Sequence, residues 1–404
     1  MNRLKKDKGV NFEDVQKMNR SIILKLIRKY GVCTRAKLAS DTGLKQASIT
    51  KIVASLIEFD IVKEVGIVEG KKGRRSIGIQ INTDLYKFLG VKLSRRYFSV
   101  GLYDLSGYEF EVETKKISMM NGSAEILLEM KNMVHSFLKR YANVAAIGVA
   151  LPGPFLKNNE KIGLITELPG WEEVDLKQEL KDEFSIPVFL EHDANAAALA
   201  EWWFGETKQD IDVMVYLLVG EGVGAGIIDQ GRLFTGTQGI AGEVGHMSID
   251  YNGRHCSCGN YGCLEKYCST FALKEDVTSK LSIYPDSMLN STDKLTTELI
   301  FKALDNGDPL AIEVIDRIGT YLGYGIINIV NVYNPELIVI SDKMTRGGDY
   351  LLKKIDETIS SRLLPSVYEN LTIQMSMFKN DPPLYGAAAI AADNFLDNPT
   401  AFLE

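Results

Sequence analysis

The charge of this 404-residue chain is divided. Residues 1–80 hold 18 Lys+Arg against 8 Asp+Glu, a local charge of +10, while the remainder carries −17 and the whole −7. Two opposed fields imply a basic unit that attracts phosphates and an acidic body that repels DNA and helps keep the chain soluble. The length allows two or three domains at roughly 100–200 residues each. The longest apolar runs, Val213–Val219 and Ile326–Val332, fall far short of the ~20 residues that cross a bilayer. No apolar stretch follows the basic start Met1–Lys8, so neither a membrane span nor export is expected.

Hydrophobic spacing resolves the basic unit. Val15, Met18, Ile22, Ile23, Leu26 and Ile27 recur at helical intervals across Asn11–Arg28, and Gly31 stops that helix behind Lys29. Thr34 can cap a second helix, Arg35–Thr42, in which Leu38 and Ala39 face inward. Gly43 supplies a tight turn, and Lys45–Phe59 makes a third helix with Ile49, Ile52, Val53 and Leu56 inward. This is the helix-turn-helix order, which presents the N-terminal half of the third helix to a major groove.

Arg35, Lys45, Gln46, Ser48, Thr50 and Lys51 are the candidate contacts of these helices with DNA. Gln46 can pair with a base edge, Ser48 and Thr50 can meet bases or phosphates, and the lysines mostly neutralise phosphates. Two short strands, Ile61–Gly66 and Ser76–Ile81, flank a basic tip that carries Lys71, Lys72, Arg74 and Arg75. Such a wing suits a narrow, A·T-rich minor groove.

Beyond Asn82 the pattern turns to strands and glycines. Strands are expected at Phe88–Val91, Tyr97–Tyr103, Phe110–Lys116 and Val144–Ala150, with an amphipathic helix at Ala124–Tyr141, which indicates an α/β architecture. A second cycle starts with the strand Met214–Val219 and a glycine turn, Gly220–Gly226, whose partner strand begins at Ile227. It adds a helix through Ile326–Val332, a strand at Leu337–Ser341 and an alanine-rich helix, Pro383–Leu396. Two similar halves with a cleft between them fit this order. The glycine turn alone is a weak phosphate signal, and its Glu221 would sit where an anion should go.

The strongest local chemistry is His246, Cys256, Cys258 and Cys263, a ligand set for one tetrahedral structural zinc. His255 and Cys268 are alternative ligands, Cys268 being better placed on a helix that begins at Leu264; a disulfide is a further alternative. Asp193, Glu243 and Glu265 stand in apolar or glycine-rich surroundings and could converge on a neutral polyhydroxyl ligand, or simply cap helices and brace loops. Asp193 is expected in a segment that joins the strand Val188–Leu190 to a helix at Ala196–Trp203.

Leu168-Pro169-Gly170-Trp171, Glu191–Glu201, Leu218–Gly226 and above all Glu243–Glu265 resemble the ROK family of repressors, open reading frames and sugar kinases. With the basic unit in front, the chain is most similar to the repressor branch, in the manner of the xylose repressors of Gram-positive bacteria. The resemblance implies an actin-like (ribonuclease H-like) two-lobed sugar kinase fold behind a winged helix-turn-helix. It matches Asp193 to the kinases' catalytic aspartate and Glu243, His246 and Glu265 to residues that hold sugar hydroxyls, with His246 also on zinc. His192 and Glu167 stand near the implied sugar where the family commonly has Asn. Where the kinases carry Asp-x-Gly-Gly-Thr, this chain has Lys92-Leu93-Ser94-Arg95-Arg96, so kinase activity is not expected.

The expected organisation is a winged helix-turn-helix at residues 1–81, a first α/β lobe at 82–195, a second lobe at 196–380 with a zinc loop at 246–263, and a C-terminal helix at 381–404 that returns to the first lobe. The expected function is that of a cytoplasmic, sugar-responsive repressor of carbohydrate-utilisation genes. It would bind a palindromic double-stranded operator as a homodimer, or a tetramer, hold one structural zinc per chain and take a neutral sugar in the cleft. The segment Asn82–Tyr86 is expected to act as the linker. Two alternatives stand beside this reading: a ligand-independent regulator with a degenerate pocket, and an ATP-dependent sugar kinase with a DNA-binding appendage.

Overall fold

The computed structural model describes residues 11–402 except 70–74, 119, 121, 154, 157–160, 163–169, 172–173, 206–210, 293 and 379. Asn11 opens α1 (Phe12–Tyr30) with a reciprocal capping box to Asp14, and Gly31 closes it at φ 66°. A two-residue strand, β1 (Cys33–Thr34), follows, and the Thr34 hydroxyl accepts from the Lys37 amide to start α2 (Arg35–Thr42). Gly43, left-handed at φ 70°, turns the chain into α3 (Gln46–Glu58). β2 (Val62–Glu69) and β3 (Arg75–Ile81) form the wing, and β1 pairs with β3, giving the order β1-β3-β2. Sequence spacing missed β1 because two residues carry no periodicity. Val15 and Met18 are exposed, and Leu24 takes the inward position beside Ile23 and Ile27.

The next sheet is ordered β10-β7-β4-β5-β6. β4 (Lys87–Leu93), β5 (Tyr97–Asp104) and β6 (Glu109–Lys116) form an antiparallel meander; β7 (Val144–Leu151) then joins β4 in parallel. α4 (Ser123–Arg140) makes the crossover, and the small pair β8 (Phe155–Leu156) and β9 (Lys161–Ile162) leads to α5 (Leu176–Glu183) and β10 (Val188–His192). α6 (Asp193–Phe204) begins directly on β10, three residues before the expected start, so Asp193 is the first helical residue.

A second sheet repeats the plan as β13-β12-β11-β14-β15. β11 (Val213–Val219) and β12 (Val223–Asp229) pair antiparallel from Val213 with Asp229 to Val219 with Val223, which takes in Gly224 and Gly226. The turn therefore shrinks to Gly220–Gly222, because Val223 and Ala225 are buried strand residues. β13 (Arg232–Leu233) is short. The helices α7 (Glu265–Cys268), α8 (Thr270–Lys280), α9 (Thr297–Asp305) and α10 (Pro309–Tyr333) cover one face before β14 (Leu337–Ser341). α11 (Gly348–Ser360), α12 (Pro365–Tyr368) and β15 (Thr372–Met375) complete the layer.

α13 (Pro382–Asp397) packs across β4 and β7 and along α6. Small residues allow this approach: a β-carbon at Gly386 would overlap the Ala196 carbonyl oxygen, and one at Gly226 would overlap that of Ala194. The basic unit does not hang on a linker. Ile23, Leu24 and Ile27 share a continuous core with Phe88, Leu384, Ala391 and Phe395, and Tyr86 both bonds the Phe59 carbonyl (2.8 Å) and packs on Phe395. Asn82–Tyr86 is thus a fixed joint, since its polar groups are bonded and its ring is buried. Among the described residues no helix is long and apolar enough to cross a membrane.

Candidate functional site

One loop gathers sulfur and nitrogen donors. His246 ends a 3-10 turn that starts at Val244, and its Nδ1 lies 3.7 Å from Cys256 Sγ; Cys258 Sγ lies 3.7 Å from Cys263 Sγ. All four donor atoms fall within 4.8 Å of one another. The backbone holds them there: Cys256 N donates to the Asn260 carbonyl (2.9 Å), Asn260 Nδ2 to the His246 carbonyl (3.3 Å), and Ser248 bridges Cys263 as a strand partner. This cluster can hold a metal ion. Cys268 is outside it, buried on α7 with Sγ toward the Ile318 carbonyl, and His255 instead packs edge-on against Tyr261.

The carboxylates approach from the neighbouring elements. His192 and Asp193 sit at the β10–α6 junction, His192 Nε2 3.1 Å from Asp193 Oδ1. Buried Glu191 fixes that junction by accepting from the His192 amide (3.1 Å) and Asn195 Nδ2 (3.0 Å). Glu265 Oε2 accepts from the Val223 amide (3.1 Å) and stands over Gly222, while the His192 ring stands over Gly224. Glu265 thus lies at the β11–β12 turn and His192 beside the start of β12. Glu243 directly precedes the 3-10 turn that ends at His246, and the His246 amide donates to the Glu243 carbonyl (3.1 Å). With Nδ1 on the sulfur cluster, His246 keeps Nε2 for another partner. Glu167 lies outside the described residues.

The end of β4, where Lys92-Leu93-Ser94-Arg95-Arg96 begins, carries a charge cluster. Lys92 Nζ lies 2.5 Å from Asp381 Oδ1, and Tyr97 OH donates to Asp381 Oδ2 (3.3 Å). Burial opposes the Lys92 charge, but Asp381 outweighs it, with Asp193 adding, and the ammonium is held above the usual lysine range. Burial raises the Asp342 carboxyl, which Lys92 partly offsets; a β-carbon at Gly220 would overlap that carboxylate. Arg96 reaches from the first sheet to Glu221 on the β11–β12 turn of the second, 2.7 Å away. Asp342, Glu221, Arg96 and Glu265 thus stand around Gly220–Gly222. Sequence reasoning read Glu221 and the Lys92–Arg96 stretch separately and missed their pairing.

On the reading head, Lys45, Gln46, Ser48, Thr50 and Lys51 are exposed. At about 100° per residue, Ala47 and Lys51 lie at the centre of the outward face of α3, opposite buried Ile49, Val53 and Leu56. Ala47 was missed because methyl groups carry no charge signal, yet an exposed methyl can meet a thymine methyl. Arg35 is turned inward onto Glu64 of β2 (2.7 Å), which braces the helices to the wing. Arg75 is exposed at the start of β3; Lys71, Lys72 and Arg74 lie outside the described residues.

The comparisons agree with this architecture. The ROK family pattern matches residues 88–394. The xylose repressor of Caldicellulosiruptor bescii is 30% identical over 95% of this chain and 98% of its own length. The N-acetylglucosamine repressor of Escherichia coli O157:H7 is 33% identical over 91% and 90%. A solved ROK family transcriptional regulator, a homologue of the E. coli MLC protein, superposes with a TM-score of 0.83 at 30% identity, covering 96% of this chain and 100% of that one. The family pattern spans both five-stranded sheets, and the repressors and the solved regulator cover more than nine-tenths of the chain, so the chain belongs to the ROK family, in its regulator branch.

Proposed function

We propose that this chain is a cytoplasmic, sugar-responsive repressor of carbohydrate-utilisation genes. The observation that carries the reading is a winged helix-turn-helix packed into the same core as a two-lobed sugar-kinase body whose phosphate position is filled by Lys92 and Asp381. A neutral sugar sits in the cleft on Asp193, Glu243, His246 and Glu265, with His192 and Glu167 at its edge. Ionised carboxylates and an imidazole bond hydroxyls strongly. The head binds a palindromic operator through Lys45, Gln46, Ser48, Thr50 and Lys51, with Lys71, Lys72, Arg74 and Arg75 on the wing, one half-site per protomer of a homodimer.

Zinc is the ion we assign to His246, Cys256, Cys258 and Cys263, one per chain. Two Zn–S bonds of ~2.3 Å at a tetrahedral angle place their sulfurs about 3.8 Å apart, and the Cys258–Cys263 separation of 3.7 Å fits that edge. With four protein donors the site is closed, so zinc would hold the loop that carries His246 and Glu265 and take no part in chemistry. The sequence divides the units at 81/82, 195/196 and 380/381; because α6 runs unbroken from Asp193 to Phe204, we place the second division at the β10–α6 junction instead.

The test is a thermal-shift screen of the full-length protein against D-xylose, N-acetylglucosamine and other monosaccharides, followed by titration of a duplex that the protein selects from a random library. A bound sugar raises the melting temperature and weakens duplex binding by about 10-fold or more. Duplex affinity indifferent to every sugar that binds would overturn the switch.

A further inference from the structure

Two helices run from the cleft to the reading head. α6 begins at Asp193 and α13 begins behind Asp381, the partner of Lys92. Their far ends meet α1. The Arg28 guanidinium lies 3.6 Å from the centre of the Trp203 ring and donates to the Trp203 carbonyl (3.5 Å), while Lys25 reaches Asp397 (2.8 Å) and Asp393 (3.7 Å). Ten residues at 1.5 Å each put about 15 Å between Asp193 and Trp203 along the helix.

Arg28 is not a surface arginine waiting for phosphate. Its Nε is buried without a hydrogen-bond partner, and burial pulls its pKa down to about 10 against the opposing pull of Asp393. A desolvated guanidinium depends more on the face of an indole than a hydrated one does. α6, for its part, has no slack. Gly226 of β12 and Gly386 of α13 press directly on its backbone from two sides, and an interior packed that closely passes a displacement on rather than absorbing it.

We propose that Arg28 and Trp203 are the positioning pair through which sugar at Asp193 is felt by the reading head. With the cleft empty, α6 holds Trp203 under Arg28, and α1 holds α3 in the reading position through Ile23, Leu24 and Ile27. Sugar contacts at Asp193 favour a second setting of α6 that withdraws the indole, and the unstacked, desolvated Arg28 then drives α1 to a new seat. The inference rests on the proposed sugar-responsive reading, because both ligands must prefer different settings of one element.

The experiment uses full-length wild type, Arg28→Lys and Trp203→Leu. Arg28→Lys keeps the charge and loses the planar stack; Trp203→Leu keeps apolar bulk and loses the ring face. The probes are D-xylose and N-acetylglucosamine, with a duplex selected by wild type from a random library. Both variants should bind sugar within about 2-fold of wild type, while the ratio of duplex Kd with and without sugar shrinks by about 5-fold or more. The effect of saturating duplex on sugar affinity should shrink by the same factor, since coupling is reciprocal. Sugar should also change hydrogen exchange across residues 12–30 in wild type and not in the variants. Lys25→Met, which removes the neighbouring contact to α13, should keep the wild-type ratio.

An unchanged ratio in either folded variant, or an equal loss in Lys25→Met, overturns the pair. If neither sugar alters duplex binding by wild type, the sugar-responsive reading has failed first, and the wild-type titration shows this before any variant is measured.

Discussion

Lys92 and Asp381 form a largely buried ion pair that joins the end of the first strand of the first sheet to the start of the last long helix. Removing one partner of a buried pair strands the other charge, here with Asp193 and Asp342 close by. Lys92→Met should therefore destabilise by about 3–5 kcal/mol, and the double variant Lys92→Met with Asp381→Asn should recover most of that. Urea unfolding of the four proteins measures the cycle. Wild type should not phosphorylate D-xylose or N-acetylglucosamine with ATP; Asp193-dependent turnover would restore the kinase alternative.

Elemental analysis should find about one zinc per chain. Cys258→Ser should lower zinc content and melting temperature together, and a strong chelator should reproduce the loss of stability in wild type. An unchanged stoichiometry in Cys258→Ser would remove it from the ligand set.

Duplex affinity should fall steeply with salt. Lys51→Ala should weaken selected and random duplexes alike, whereas Gln46→Ala should cost ~1–3 kcal/mol mainly on the selected one. Fluorescence anisotropy at two salt concentrations separates the two effects; salt-independent binding would contradict the phosphate contacts.

Asp193→Asn keeps the size and one acceptor but loses the charge, so sugar binding should weaken by roughly 1.5–3 kcal/mol. The variant should still bind duplex and need about 10-fold or more sugar for the same response. Calorimetry with the best screening sugar decides, and equal affinity would take Asp193 out of the pocket.

Gly386→Ala sets two effects against each other. Helix propensity favours Ala by about 1 kcal/mol, but the new methyl would overlap the Ala196 carbonyl. Overpacking against backbone, typically about 1–3 kcal/mol, should win, with a net loss of up to about 2 kcal/mol in urea unfolding.

The elements legible in the sequence are those with strong local signals. Thr34, Gly31 and Gly43 mark helix ends by cap chemistry, and those ends stand where their side chains and backbone require. The Cys/His loop was readable because donor type and spacing carry the geometry. What stayed hidden depends on tertiary context. Glycines at 224 and 226 read as a turn because their role, admitting the His192 ring and the backbone of α6, lies in another part of the chain. Val15 and Met18 satisfied the helical period, yet α1 extends past the core it packs on. The Arg35–Glu64 pair, 29 residues apart in the chain, could not be read from local spacing.

The pairing of Cys33 with Ile79 and of Thr34 with Gly78 has a consequence for the DNA as well as for the protein. Thr34 is at once the cap of the second helix and a rung of the wing sheet, and Gly43 turns that helix directly into α3, so the proposed groove-reading helix and the wing would not be rephased independently. A duplex whose grooves present the two contacts out of phase must itself twist or compress to fit. The energy of that distortion varies with the base steps being distorted, so under the proposed DNA reading base pairs touched by neither element would be part of what the head discriminates.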